Sequence, residues 1–159
     1  WPHWGIEYER RANRDQRQIA GWCHDNGVEL VVGSHPHVLQ PVEVSRDTTG
    51  RITDLTVYSL GNLVSNQRKR YTDGGMLLWL EIVHRGAEPP VFNARYILAW
   101  VNTPYVDGRL RYEILPSPVA DTILGPGTAA RIAYERFVSD GRTLLNAGDT
   151  GVKEVVYPD

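Results

Sequence analysis

The spacing of apolar residues changes period along this chain, and each change marks an element. In RRANRDQRQIAGWCHDNG (10–27), Ile19, Ala20 and Cys23 recur at helical spacing within a polar run. Gly27 stands where a helix would stop, which predicts a helix over 12–26 with Asp15 in an early turn and His24 in the last. The contiguous VELVV (28–32) predicts a short buried strand, and helix followed by strand is half of an α/β unit. From Pro41 the period becomes two. PVEVSR (41–46), the turn Asp47-Thr48-Thr49-Gly50 and RITDLTVYSL (51–60) predict a β-hairpin. Three further strands are predicted at GMLLWLEIVH (75–84), VFNARYILAWV (91–101) and RLRYEILP (109–116), the first two joined by a turn in RGAEPP (85–90). PSPVADTILGPGT (116–128) reads as a connection. Thr128 then caps a last helix over 129–140, with Ala129, Ala133 and Phe137 on one stripe.

Composition narrows the function classes. At 159 residues, with 42% hydrophobic and 23% charged residues, the chain is long enough to bury a core and too apolar to be largely disordered. A net charge of −2 argues against nucleic acid as a partner, because phosphate binding needs a basic surface. One cysteine, Cys23, excludes an internal disulfide and a cysteine-based zinc cluster. No run approaches the roughly 18–20 apolar residues of a membrane span. The start, WPHWGIEY, has neither the basic nor the apolar region of a signal peptide. Without a Met, and with aromatic residues first, it reads as a fragment, or a mature or trimmed chain, whose preceding strand is missing.

Candidate chemistry concentrates in VVGSHPHVLQP (31–41). Gly33 is expected to let the backbone turn after the strand. Pro36 disfavours helical backbone at His35 and biases it toward an extended form, in which side chains two apart share a side. His35 and His37 would then point one way from the carboxyl end of a strand, where α/β sheets bind ligands. Two imidazoles aimed at one point suit a divalent ion such as Zn, Mn or Fe, and a dinuclear centre could take one histidine on each metal. Two solvated histidines in a loop are the alternative. His3, in PHWGIEY and followed by Gly5, repeats the strand-end pattern, or is simply exposed near a terminus.

Nearby residues carry two readings each. Glu7 could accept a hydrogen bond from a metal-bound imidazole, or be a solvated carboxylate. Asn62 could face the site, or serve a Gly-Asn turn. Ser34 could hydrogen-bond substrate, or be an ordinary loop serine. Arg68, Lys69 and Arg70 form an anion-attracting loop if they rim the site, and a solvated loop otherwise. His24, His84, Cys23 and most tryptophans read as structural, with Trp4 able to wall the site.

HWGIEYE (3–9), a helix containing Gln18 and Ala20, GVELVVGSHPHVLQPVEV (27–44) and VYSLGNLV (57–64) together resemble the bacterial capsule-synthesis family CapA/PGA_cap. That family is associated with poly-γ-glutamate production and related to the calcineurin-like metallophosphoesterases. The resemblance is specific from Pro2 to about Val64, rests on strand pattern from Gly75 to Pro118, and is absent from the last forty residues. It implies an α/β fold, α+β in this segment: part of a four-layer sandwich of mixed and antiparallel sheet with flanking helices. Residues 1–118 would be the C-terminal part of that domain, and 119–159 a connection and helix packed on it. His3, His35 and His37 match the family's ligand histidines, with further Asp, Asn and His ligands expected upstream, so this ligand set would be incomplete. The implied function is metal-dependent hydrolysis of a phosphate ester or related envelope substrate in capsule biosynthesis, with this segment alone inactive. The alternative is a non-catalytic subunit of a poly-γ-glutamate synthesis and export complex, binding polymer. A third reading is a sheet-rich binding module with incidental histidines. Expected partners are an anionic polymer or phosphate-containing substrate and capsule-synthesis subunits. The expected location is the cell envelope. Exposed sheet edges would also permit a homodimer.

Overall fold

The polar run ahead of the first helix supplies the helix's own cap. In the computed structural model, which describes residues 1–86, 90–148 and 150–155, α1 spans Arg14–Asp25. The Asn13 side chain accepts from the Gln16 amide, and the Gln16 side chain accepts from the Asn13 amide. This reciprocal pair satisfies two N–H groups that the helix itself cannot. At the other end His24 ties the helix to the sheet, with Nδ1 2.6 Å from the Val28 carbonyl oxygen and Nε2 2.7 Å from Thr56 Oγ1.

The predicted strand at 28–32 shortens to β1 (Leu30–Val32), because Val28 and Glu29 are exposed. The hairpin forms as expected, from β2 (Val42–Arg46) and β3 (Ile52–Val57). Its turn is held by Asp47, whose carboxylate accepts from the Thr49 and Arg51 amides. The strands are ordered β1-β3-β2, with β1 parallel and β2 antiparallel to β3.

A second sheet is built on β4 (Gly74–Val83) and β5 (Val91–Asn102), paired antiparallel along their length. The predicted turn between them falls partly on residues 87–89, outside the described residues. RLRYEILP does not form one strand. The positive φ angles of Asp107 and Gly108 close a tight hairpin between β6 (Tyr105–Val106) and β7 (Arg109–Leu110). Only β8 (Glu113–Pro116) reaches β5.

The segment read as a connection contains a helix, α2 (Ser117–Ile123). Pro118 sits in its first turn, where the missing N–H has no helical partner in any case, so the proline does not break it. The last helix, α3 (Ala129–Asn146), starts under the Thr128 cap as predicted but runs past Asp140. It continues through Gly141, against which Leu98 and Leu39 pack. A final strand, β9 (Lys153–Glu154), joins β5 in parallel and was not predicted.

Alternation along β1 and β3 gives the first sheet two buried faces. Val32 and Val57 join the main core with Leu39, Leu98, Trp100, Tyr134 and Phe137. Val31 and Tyr58 face the other way, onto a smaller cluster with Trp4, Ala12 and Ala20 of the N-terminal segment and α1. The result is an α+β fold of mixed and antiparallel sheets with flanking helices. Among the described residues no helix is long and apolar enough to cross a membrane.

Candidate metal centre

The histidine loop is shaped by what lies beneath it. Residues 2–4 run parallel to the end of β1, with the Trp4 amide donating to the Ser34 carbonyl and the Ser34 amide to that of Pro2. Trp4 folds under the loop and donates from Nε1 to the Tyr58 carbonyl at 2.8 Å. A Cβ on Gly33 would lie 2.2 Å from Trp4 Nε1 and 2.3 Å from that same carbonyl oxygen. Gly33 is therefore a close-approach position and not, as expected, the residue that turns the chain. The turning occurs at the histidines themselves: φ is 105° at His35 and 61° at His37. The expectation of an extended His35 is thus corrected. Positive φ at a non-glycine residue costs about 1–3 kcal/mol, and two such residues within three are held only by their surroundings.

This backbone brings the side chains together by a different route from the one expected. Ligand atoms of Glu7, His35 and His37 lie within 4.8 Å of one another. His37 Nε2 is 3.7 Å from Glu7 Oε1. His3 stands beside this trio, its ring centroid 4.4 Å from that of His35. The donors, one carboxylate and two imidazoles, are a set that Zn, Mn or Fe accepts with coordination positions left over.

Asn62 orients the cluster. Its Oδ1 is 3.0 Å from His37 Nδ1, while its Nδ2 donates to the Thr72 carbonyl at 2.9 Å and to Gln67 Oε1 at 3.2 Å. Because Nδ2 is committed to a carbonyl, Oδ1 must be the atom facing His37, and it accepts a proton held on Nδ1. Nε2 lies on the Glu7 side, 3.7 Å from Oε1, which is the ring nitrogen a metal ion shared with Glu7 would take. Glu7, expected to accept from an imidazole, places an oxygen at the same point as the two histidines, and Asn62, read as facing the site or serving a turn, contacts the His37 imidazole. Tyr8 stacks on His37 with centroids 6.1 Å apart and accepts from Gln67.

The other sequence candidates lie elsewhere. The Ser34 hydroxyl accepts from Trp1 Nε1 and contacts the Pro2 carbonyl, so it anchors the N-terminal segment. The three cations do not act together. Arg70 is held by Asp140 through two bonds of 2.8 and 2.9 Å, and Arg68 donates to the Val101 carbonyl. Lys69 alone approaches the cluster, with Nζ 5.9 Å from the Tyr8 ring centre.

Sequence reasoning missed Gln16 and Gln40, both fully buried. Gln16 donates to Gln40 at 2.8 Å, and Gln40 donates to the Glu9 and Arg11 carbonyls. The pair fastens α1 and the segment following Glu7 to the strand-side end of the histidine loop. The available signal was a lone amide inside the apolar VLQPV. Gln40→Leu strands the Gln16 amide and those two carbonyls, and urea unfolding should show a loss of about 2–4 kcal/mol.

Comparison with known proteins agrees in location with this cluster. The profile of the family described as "Bacterial capsule synthesis protein PGA_cap" matches residues 1–67. The PGA biosynthesis protein CapA of Bacillus subtilis (strain 168) is 46% identical over 65 residues, which cover 41% of this chain and 16% of that protein. The capsule biosynthesis protein CapA of Bacillus anthracis is 38% identical over 65 residues, 41% of this chain and 14% of that protein. No solved structure matches the chain at a significant level. Residues 1–67, which contain the whole histidine cluster and its Asn62 buttress, are similar to the bacterial capsule synthesis protein PGA_cap family, and the chain spans about one sixth of the length of the relatives it matches.

Proposed function

We propose that the protein uses Glu7, His35 and His37 to hold a divalent metal ion for hydrolysis of a phosphate ester, or a related envelope substrate, in capsule biosynthesis. The observation that carries this reading is the convergence of three ligand atoms within 4.8 Å, with the His37 imidazole fixed by Asn62. When bound, such an ion lowers the pKa of coordinated water and neutralises charge on a phosphoryl oxygen. The chain's own residues orient and select. Asn62 keeps the His37 proton on Nδ1, and Gly33 lets Trp4 support the loop from below. Lys69, near Tyr8, supplies a positive charge at the rim for an incoming anion. Glu7 is half exposed, so the cluster is open to substrate. The relatives' printed roles in capsule biosynthesis support a cell-envelope setting.

The test is metal content of the intact parent protein after dialysis against Mn and Zn, followed by turnover of p-nitrophenyl phosphate and bis(p-nitrophenyl) phosphate. Bound metal that is lost in His35→Ala/His37→Ala, together with metal-dependent turnover, is the expected result. Bound metal without turnover of either ester would favour the non-catalytic, polymer-binding role. A wild-type protein that retains no metal would sink both the centre and the hydrolysis.

A further inference from the structure

The similarity to the capsule-synthesis family ends at residue 67, yet the loop that follows leads back to the histidine cluster. The Thr72 carbonyl accepts from Asn62 Nδ2 at 2.9 Å, and that bond decides which atom of the Asn62 amide faces His37. Thr72 is buried, and its amide and hydroxyl both donate to the Lys69 carbonyl, at 3.0 and 2.9 Å. The turn over 69–72 is thus closed on itself, and its direction is set at Tyr71, whose φ is 75°. A tyrosine in that left-handed region persists only where its surroundings hold it.

What holds Tyr71 comes from both ends of the chain. The guanidinium carbons of Arg10 and Arg70 lie 4.2 and 4.8 Å from its ring centre, within cation–π range. Both arginines are anchored in turn on one residue of α3, Asp140. Its carboxylate accepts from Arg70 Nε and Nη2 at 2.9 and 2.8 Å, a two-point pairing that fixes the plane of the guanidinium. Its main-chain carbonyl accepts from Arg10 Nη2 at 2.8 Å. Arg10 Nε is buried with no hydrogen-bond partner among the described residues, so the Tyr71 ring and the Asp140 carbonyl are what keep this side chain in place. An exposed ion pair such as Arg70–Asp140 adds little to global stability. Its effect is on geometry, because it ties a strained turn to a helix 70 residues away.

We propose that Asp140 is a positioning residue for the histidine cluster, acting through Arg70 and Tyr71 on the Thr72 carbonyl, and through it on Asn62 and His37. With Tyr71 released, the Thr72 carbonyl turns away from Asn62 Nδ2 and leaves Gln67 Oε1, at 3.2 Å, as its remaining acceptor. The Asn62 amide then rotates to offer Nδ2 to His37 in place of Oδ1. An N–H facing Nδ1 requires a lone pair there, so the ring proton moves to Nε2, the nitrogen on the Glu7 side. The consequence for metal affinity rests on reading the cluster as a metal centre, whereas the change of tautomer does not.

The experiment is long-range proton–nitrogen correlation spectroscopy of the metal-free intact parent protein carrying isotopically labelled histidine, above the imidazole pKa of about 6.5. His37 is assigned by its absence from His37→Ala. The wild type should hold the His37 proton on Nδ1. Asp140→Ala should move a measurable share of it to Nε2, and Mn and Zn titrations of that variant should show binding weakened about three- to tenfold. Tyr71→Gly should do the same with the fold retained, because glycine adopts positive φ freely. Tyr71→Phe keeps the ring and should match the wild type. Arg131→Gln breaks other ion pairs of α3, with Asp121 and Glu135, and should change neither readout. An unchanged tautomer in Asp140→Ala and Tyr71→Gly would overturn the proposal, however much stability those variants lose. A wild type with its His37 proton on Nε2 would overturn it too, as would an equal shift in Arg131→Gln, which would mean general loosening. A wild type that binds no metal would remove the metal reading alone, and the tautomer would then decide.

Discussion

Gly33→Ala is expected to destabilise the protein by more than about 3 kcal/mol, beyond the usual range for overpacking. The added Cβ would meet two partners that cannot easily retreat. One is the Tyr58 carbonyl oxygen, 2.3 Å away on backbone that continues directly from β3. The other is the Trp4 indole nitrogen, 2.2 Å away and donating to that same carbonyl. Relief would require Trp4, which is buried, to leave its cluster with Val31 and Tyr58, and residues 2–4 to peel off the end of β1. The His35–His37 loop would then lose its support. Gly21→Ala provides the contrast within the same half of the chain. Gly21 lies inside α1 with nothing within 4 Å of its added Cβ, so alanine there should stabilise by about 0.5–1 kcal/mol. Urea unfolding of the two variants measures both signs. A Gly33→Ala protein within about 1 kcal/mol of wild type would mean that Trp4 does not pack beneath the loop as described.

That contrast shows what a sequence can and cannot reveal about this fold. Periodicity located α1, the β2–β3 hairpin and the two long strands, because each buries one face and so repeats its own period. It failed where three-dimensional proximity decides. β9 has only two residues and exists because β5 has a free edge beside it. α2 is hidden by prolines and glycines that suit a connection equally well. The site was legible in part for the same reason. His35 and His37 announce themselves by spacing, yet the extended geometry inferred from Pro36 was not the one adopted. Convergence depends on positive φ at both histidines, and Trp4, Gly33 and Tyr58, distant in sequence, hold that backbone. The Asn62–His37 contact spans 25 residues and could be suggested from SLGN but not weighed. The family comparison covers the same stretch in which local pattern was informative, and contributes nothing to 68–159.

The hydrogen bond from His37 to Asn62 carries the second large expectation. If the Nε2 lone pair binds metal, its availability depends on the proton staying on Nδ1, and Asn62 Oδ1 is the acceptor that keeps it there. Asn62→Leu should therefore weaken Mn or Zn binding about 10–100-fold without removing a ligand, and His37→Ala should weaken it further. A purely structural role has to be separated from this one, because Asn62 is buried and also donates to the Thr72 carbonyl. Asn62→Asp separates them. Aspartate keeps an oxygen facing His37 but cannot donate to Thr72, so it should lose stability in urea unfolding while retaining metal affinity. Leucine should lose both. His3→Ala, which removes a ring beside His35 but outside the Glu7–His35–His37 trio, should weaken binding less than His35→Ala does. Isothermal titration of the five variants with Mn and Zn gives the order. If Asn62→Asp binds as poorly as Asn62→Leu, the amide serves the fold alone. If His3→Ala is the most damaging, the centre is built around His3 and His35, and Glu7 is a bystander.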